Sequence, residues 1–171
     1  MKKLNSSEKV EKDEELLKIP NFINIISRVL TEIIKSNNNI SFISNDPFSC
    51  KTIPSLNLTY YLERIKKYTY LENSTLTITL IYCDRICQQS KLILYPNNIH
   101  RIFLTSSLLA IKYNEDVFYK NDFYAKVGGV GLELLNYLEF CALKFLDFKL
   151  FIDDDLFKSY VGFLKNYAYN S

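Results

Sequence analysis

The chain has no tryptophan, one histidine, one methionine and only four glycines and four prolines in 171 residues. It also lacks a charge excess: 21 basic and 19 acidic side chains leave a net charge of +2. A nucleic-acid-binding protein usually concentrates basic residues on one face. This balance argues for neither nucleic acid nor a membrane surface. No apolar run approaches the roughly 18 to 20 residues of a membrane span. The opening segment, MKKLNSSEKVEKDEELLK, is charged and has none of the apolar stretch of a signal peptide. The expectation is an intracellular protein, in the nucleus or the cytoplasm. Its four cysteines, Cys50, Cys83, Cys87 and Cys141, are then expected as reduced thiols rather than a disulfide framework. The single histidine, His100, would have to serve any hydrolytic triad, and no nucleophile motif surrounds it. A metal site built from Cys83, Cys87 and His100 would lack a closing pair of ligands, so core cysteines are the better reading. No catalytic residue, metal or cofactor is expected, and no small-molecule substrate.

What is present is apolar: 48% of residues are hydrophobic and 15% aromatic, all Tyr and Phe. That suffices for one domain with a sizeable core. Residues 1–18 mix charges with few apolar side chains and read as a flexible tail. An N-terminal helix is expected over 19–36, with Pro20 in its first turn and Phe22, Ile25, Ile26, Val29 and Ile33 on one face. Residues 37–54, polar and holding two prolines, read as a connector.

Five helical segments follow closely within 55–150. The first has Asn57 as N-cap and turns Leu58, Tyr61, Leu62, Ile65 and Tyr68 inward, with Leu56 stapled onto Tyr61. The second begins at Asn73 or Ser74. Its β-branched run from Thr75 to Ile81 suits a strand, but Leu76, Leu80, Cys83 and Cys87 continue a helical stripe too long for one. The third begins at Asn97 or Asn98. Its middle, LTSSLLA, is apolar or small on nearly every side, which places a helix among neighbours all round. The fourth is short and ends at Gly128. The fifth aligns Leu135, Leu138, Ala142 and Leu146 on one face. A last amphipathic helix, within 151–171, carries acids in its first turn, as the helix dipole favours. The predicted fold is an all-α bundle.

Three of the four glycines stand at 128, 129 and 131. A phosphate loop needs a buried strand in front and Gly-Lys-Ser/Thr, whereas here Lys126 precedes the glycines and Gly-Gly-x-Gly is not a dinucleotide fingerprint. A nucleotide-binding transferase is therefore a minor reading. The better one is a tight helix-to-helix corner, with a left-handed glycine at Gly128 or Gly129.

That corner sits within a longer pattern. His100-Arg101, Ala110-x-Lys112, YAKVGG at 124–129, LLNYLE ending at Glu139 and LDF at 146–148 resemble the second half of a cyclin box. YLERI at 61–65 and IYCDR at 81–85 resemble its first two helices. More narrowly, the pattern is similar to the P-type (phosphate-system-like) cyclins, and it covers about residues 50 to 150. The resemblance implies a single five-helix cyclin box over 55–150, with the extra helices on either side. It implies a regulatory subunit, itself no enzyme, that binds and activates a cyclin-dependent kinase as a heterodimer. In cyclins the residues matching Lys112 and Glu139 form the polar centre of the kinase-gripping surface and hold the backbone before the kinase's αC helix. Tyr113, Asp116, Tyr124 and Lys126 are added to the kinase-binding surface by adjacency. The residues matching Arg64 and Asp84 form an internal salt bridge in many cyclins, and the same is expected here. The tryptophan that helps form a substrate-docking patch in many mitotic cyclins has no counterpart. A cyclin-box scaffold in a transcription complex is the alternative; it predicts a basic face, which the charge balance does not supply.

Overall fold

Helical periodicity runs through the chain, and the computed structural model, which describes residues 16, 19, 21–37 and 46–170, is helical throughout. Among the described residues there are seven helices and no strand. They are α1 (Phe22–Asn37), α2 (Leu58–Thr69), α3 (Asn73–Ser90), α4 (Ile99–Asn114), α5 (Asn121–Gly128), α6 (Leu132–Phe145) and α7 (Asp154–Asn170). Helices α2 to α6 pack together around α4, α1 packs against α2, and α7 packs against α1 and α3. None of the described helices is long and apolar enough to cross a membrane.

The β-branched run adopts a helix because its hydroxyls find partners without breaking the ladder. Thr77 and Thr79 donate to the carbonyls of Asn73 and Thr75, four residues back, at 3.0 and 2.9 Å. Thr75 donates to the Glu115 carboxylate. The whole stretch is buried, since α3 lies against α4, α6 and α7. Its start differs from expectation. Glu72 is the N-cap residue, because the Asn73 side chain is engaged by the Lys66 ammonium of α2.

Helix α4 is the centre of the box. From Ile99 to Ile111 every residue but Arg101 is buried, and α2, α3, α5 and α6 pack around it. Asn98 precedes it, but its side chain turns back to accept from Tyr95 N and donate to Ile93 O, each at 2.9 Å. It ties the preceding loop rather than capping the helix. Ser106, Ser107 and Ala110 keep the middle of α4 slim. The closest approach is at Gly128, where a Cβ would stand 2.2 Å from Leu104 Cδ2.

The glycine corner is a helix stop. Gly129 takes the left-handed conformation, φ +68°, with Gly129 N bonded to Lys126 O and Val130 N to Ala125 O. Those amides are committed, so none of them is left to cradle a phosphate. Tyr61 Oη donates to Gly128 O at 3.1 Å, which pins the corner to α2.

Some side chains depart from the helical reading. Leu16, placed in a flexible tail by its charged neighbours, is fully buried, as is Phe48 in the connector. Ile33 and Tyr68 are exposed, because α1 turns Leu30 and Ile34 inward instead and α2 buries only Tyr61, Leu62 and Ile65. Leu56 is exposed rather than stapled. Pro20 lies outside the described residues.

Candidate functional site

At its C-terminal end α4 leaves the core. Ala110 and Ile111 are buried, and Lys112 is the first residue to reach the edge. On α6 the stripe of Leu135, Leu138 and Ala142 faces inward, which puts Glu139 one residue round the helix at the same edge. The two meet: Lys112 Nζ lies 2.7 Å from Glu139 Oε1, with side chains 29% and 15% exposed. The second carboxylate oxygen accepts from Asn121 Nδ2 at 2.8 Å, at the start of α5. The same amide nitrogen donates to Asn136 Oδ1 at 2.7 Å, one turn before Glu139 on α6. Three helices thus fix one carboxylate on both oxygens. The ammonium keeps donors in excess of its single bond to Glu139. So anchored a pair contributes little to stability while partly solvated; its value is a fixed orientation.

Apolar side chains stand exposed on the adjoining segments. Val117, Phe118 and Tyr119 follow α4, and Leu132, Tyr137 and Phe140 lie on the outer face of α6. Lys144 Nζ sits 4.5 Å from the Phe140 ring centroid. Exposed apolar side chains beside a fixed polar pair are the makings of a protein-docking surface.

The other expected residues divide. Tyr113 is half-buried; Asp116 and Lys126 are exposed. Tyr124 is corrected: only 2% exposed, its ring packs edge-on to Phe123 and its hydroxyl accepts from Tyr119 N at 3.2 Å. It supports the loop from within and presents no side chain to a partner. The expected Arg64–Asp84 bridge is also corrected. Arg64 Nε donates to Val127 O at 2.8 Å and Nη2 to Lys126 O, because the α5 C-terminus brings its last carbonyls to α2. Asp84 accepts instead from Gln88 on its own helix and from the Tyr160 hydroxyl of α7. Asn121 and Asn136 were not singled out. Their one signal is Asn136, a polar residue three before Glu139 in an apolar helix.

Cys83 and Cys87 lie along α3. Burial pushes the Cys83 thiol up to about 12 and raises Cys87 further, so both stay protonated. No group of three or more metal-ligating side chains converges among the described residues.

The class the structure defines is an all-α bundle that sets a lysine–glutamate pair amid exposed apolar side chains. The family follows from comparison. The family model for Cyclin matches residues 21–150, and the chain belongs to the cyclin family. It is 36% identical over 148 residues to Cyclin-U2-1 of Arabidopsis thaliana, covering 83% of this chain and 67% of that one. It is 33% identical over 179 residues to PHO85 cyclin-like protein psl1 of Schizosaccharomyces pombe, covering 92% and 74%. It is 39% identical over 107 residues to Cyclin-P3-1 of Oryza sativa subsp. japonica, covering 63% and 45%. The chain spans about two thirds of the length of such curated relatives.

Proposed function

We propose that this cyclin is a regulatory subunit that binds and activates a cyclin-dependent kinase, as one half of a heterodimer. Membership of the cyclin family supports the class of partner. One observation carries the site: the Lys112–Glu139 pair, held from a third helix by Asn121. The pair grips the backbone preceding the kinase's αC helix. Lys112 donates to a carbonyl there and Glu139 accepts from an amide. Tyr113, Asp116 and Lys126 flank the grip, and Phe140 and Tyr137 supply apolar area.

Activation is a population shift. The kinase with its αC helix swung in presents the αC glutamate to the ATP-binding lysine. A cyclin that binds this conformation better than the inactive one stabilises it by the difference in affinity. The chain itself catalyses nothing in this mechanism.

The test is a pull-down from native lysate with wild type beside a Lys112→Ala/Glu139→Ala double variant, reading bound kinase and its activity. Truncating one partner of such a pair costs about 2–5 kcal/mol of binding. The expected result is an active cyclin-dependent kinase with wild type and loss of it with the variant. Equal recovery by both would move the interface elsewhere. Wild type that recovers no kinase would end the kinase reading.

A further inference from the structure

The N-terminal end of α4 faces a different environment from the Lys112 end. Eleven residues separate Arg101 from Lys112, about 16 Å along a helix. There Arg101 and, from α2, Arg64 line one cleft of about 330 Å³, bounded by the segment before α2 and by the α5–α6 corner. Cys50, Ser55, Tyr61 and His100 complete its polar lining, and no Asp or Glu among the described residues lines it. In a chain with nearly equal basic and acidic residues, two guanidiniums without a carboxylate are a local excess. Among the described residues both heads hydrogen-bond to main-chain carbonyls, and Arg64 also lies over the Tyr68 ring. Arg101 Nη1 donates to Ser49 O at 2.9 Å, and Arg64 uses Nε and Nη2 on Val127 and Lys126. With five N–H donors each, both retain donors. The carbonyl bonds hold the two heads in place before any ligand arrives, which lowers the ordering cost of binding.

The surroundings fit an anion. Burial raises the Tyr61 hydroxyl pKa, and the charges of Arg64 and Arg101, which line the same cleft, pull it back. His100 is held neutral by burial and donates Nε2–H to Leu56 O at 2.9 Å, so it adds no charge of its own. Pro54, Leu56 and Val130 make the remaining wall apolar. The Gly129 and Val130 amides of the corner are committed to closing α5.

We infer that this cleft binds the phosphoryl group of a phosphorylated serine or threonine on a partner polypeptide, with Arg64 and Arg101 as the anion-binding residues. A phosphomonoester carries about −1.5 to −2 charges at neutral pH, which two guanidiniums match. A carboxylate side chain would leave one cation unanswered. Guanidinium forks accept phosphate oxygens two at a time, and the apolar wall receives the chain beside the phosphorylated residue. The site is separate from the proposed kinase grip and needs no kinase to be tested.

The experiment titrates the isolated full chain with capped phosphothreonine (N-acetyl, N-methylamide), capped threonine, inorganic phosphate and sulfate. It follows arginine Nε–H signals and phosphorus resonances by NMR. The expected result is saturable binding of the capped phosphothreonine, on the order of a millimolar, with shifts at Arg64 and Arg101. Capped threonine and both free anions should bind at least tenfold more weakly. Arg101→Gln should weaken binding at least tenfold with the helical circular dichroism unchanged. Arg64 also ties the corner, so Arg101→Gln decides. Three results would overturn the inference: no saturable shift with capped phosphothreonine, the same affinity in Arg101→Gln, or free phosphate or sulfate binding as tightly as the capped residue.

Discussion

Helices α4 and α6 lie side by side and are both rich in apolar side chains, yet they use them in opposite ways. α4 buries twelve of its residues, from Ile99 to Ile111 with Arg101 left out. α6 buries only Leu135, Leu138 and Ala142, and leaves Leu132, Tyr137 and Phe140 about half exposed. The surplus on α6 is not needed for folding. It surrounds the one place where the two helices exchange charge, Lys112 to Glu139. The boundary between the two uses passes through three consecutive residues: Leu138 faces the core, Glu139 is fixed at the edge, and Phe140 faces solvent.

That boundary is the first thing to break. Leu138→Ala opens a cavity under α6 and should cost about 2–5 kcal/mol of stability, read from urea denaturation. Phe140→Ala removes a ring from solvent and should stay within about 0.5 kcal/mol, while weakening kinase capture. Similar losses for both variants would make α6 a core helix like α4 and remove the case for its outer face as a docking surface.

A smaller effect sharpens the polar part of the contrast. Asn121→Ala frees one carboxylate oxygen of Glu139 without touching the ion pair. The expected result is roughly tenfold weaker kinase binding, at the low end for a hydrogen bond to a charged group, with little change in stability. If Asn121 acts by orienting Glu139, the loss should vanish in a Glu139→Gln background, as a double-mutant cycle reads directly. Additive losses would mean that Asn121 touches the partner itself or serves only α5.

How legible this was in the sequence depends on how local the cause is. LTSSLLA marked α4 as buried because a polar face is absent within the segment itself. The Thr75–Ile81 run resolved as helix because the stripe it belongs to extends past any strand. Asn57 caps α2 as read, its side chain accepting from Thr59 N at 2.8 Å. Lys112 and Glu139, 27 positions apart, were matched only through the family resemblance. Where resemblance erred, at Arg64 and Asp84, the partners are main-chain carbonyls of α5 and a tyrosine of α7, and no spacing rule reaches those. Phe48 and Leu16 were missed for the complementary reason: one or two apolar residues in a polar or charged stretch set no period. Tyr124 was assigned to the kinase-binding surface by adjacency alone, yet the short α5 turns it inward beneath the Tyr119 loop.

The smallest predicted effect concerns the other end of α4. His100 is the one histidine, and burial lowers its pKa below the usual 6.5. Around it stand Arg64 and Arg101 in one cleft and Arg28, Glu32 and Lys35 in another. Cations outnumber the single carboxylate, so little rewards an imidazolium there, and the N-terminus of α4 adds its own positive end. The sign follows. Below pH 6.5 the unfolded chain takes up a proton that the folded chain resists, so unfolding gains. This contribution to stability is complete above pH 6.5 and is lost as pH falls through the depressed folded pKa. His100→Gln keeps an amide donor for Leu56 O and cannot titrate. The difference in stability between wild type and His100→Gln should therefore be flat above pH 6.5 and shrink or reverse against wild type below it, measured by urea denaturation across pH 5 to 8. Parallel curves through that range would show that the folded box accepts the proton freely. The N-terminal end of α4 would then be open to water in the way its Lys112 end is.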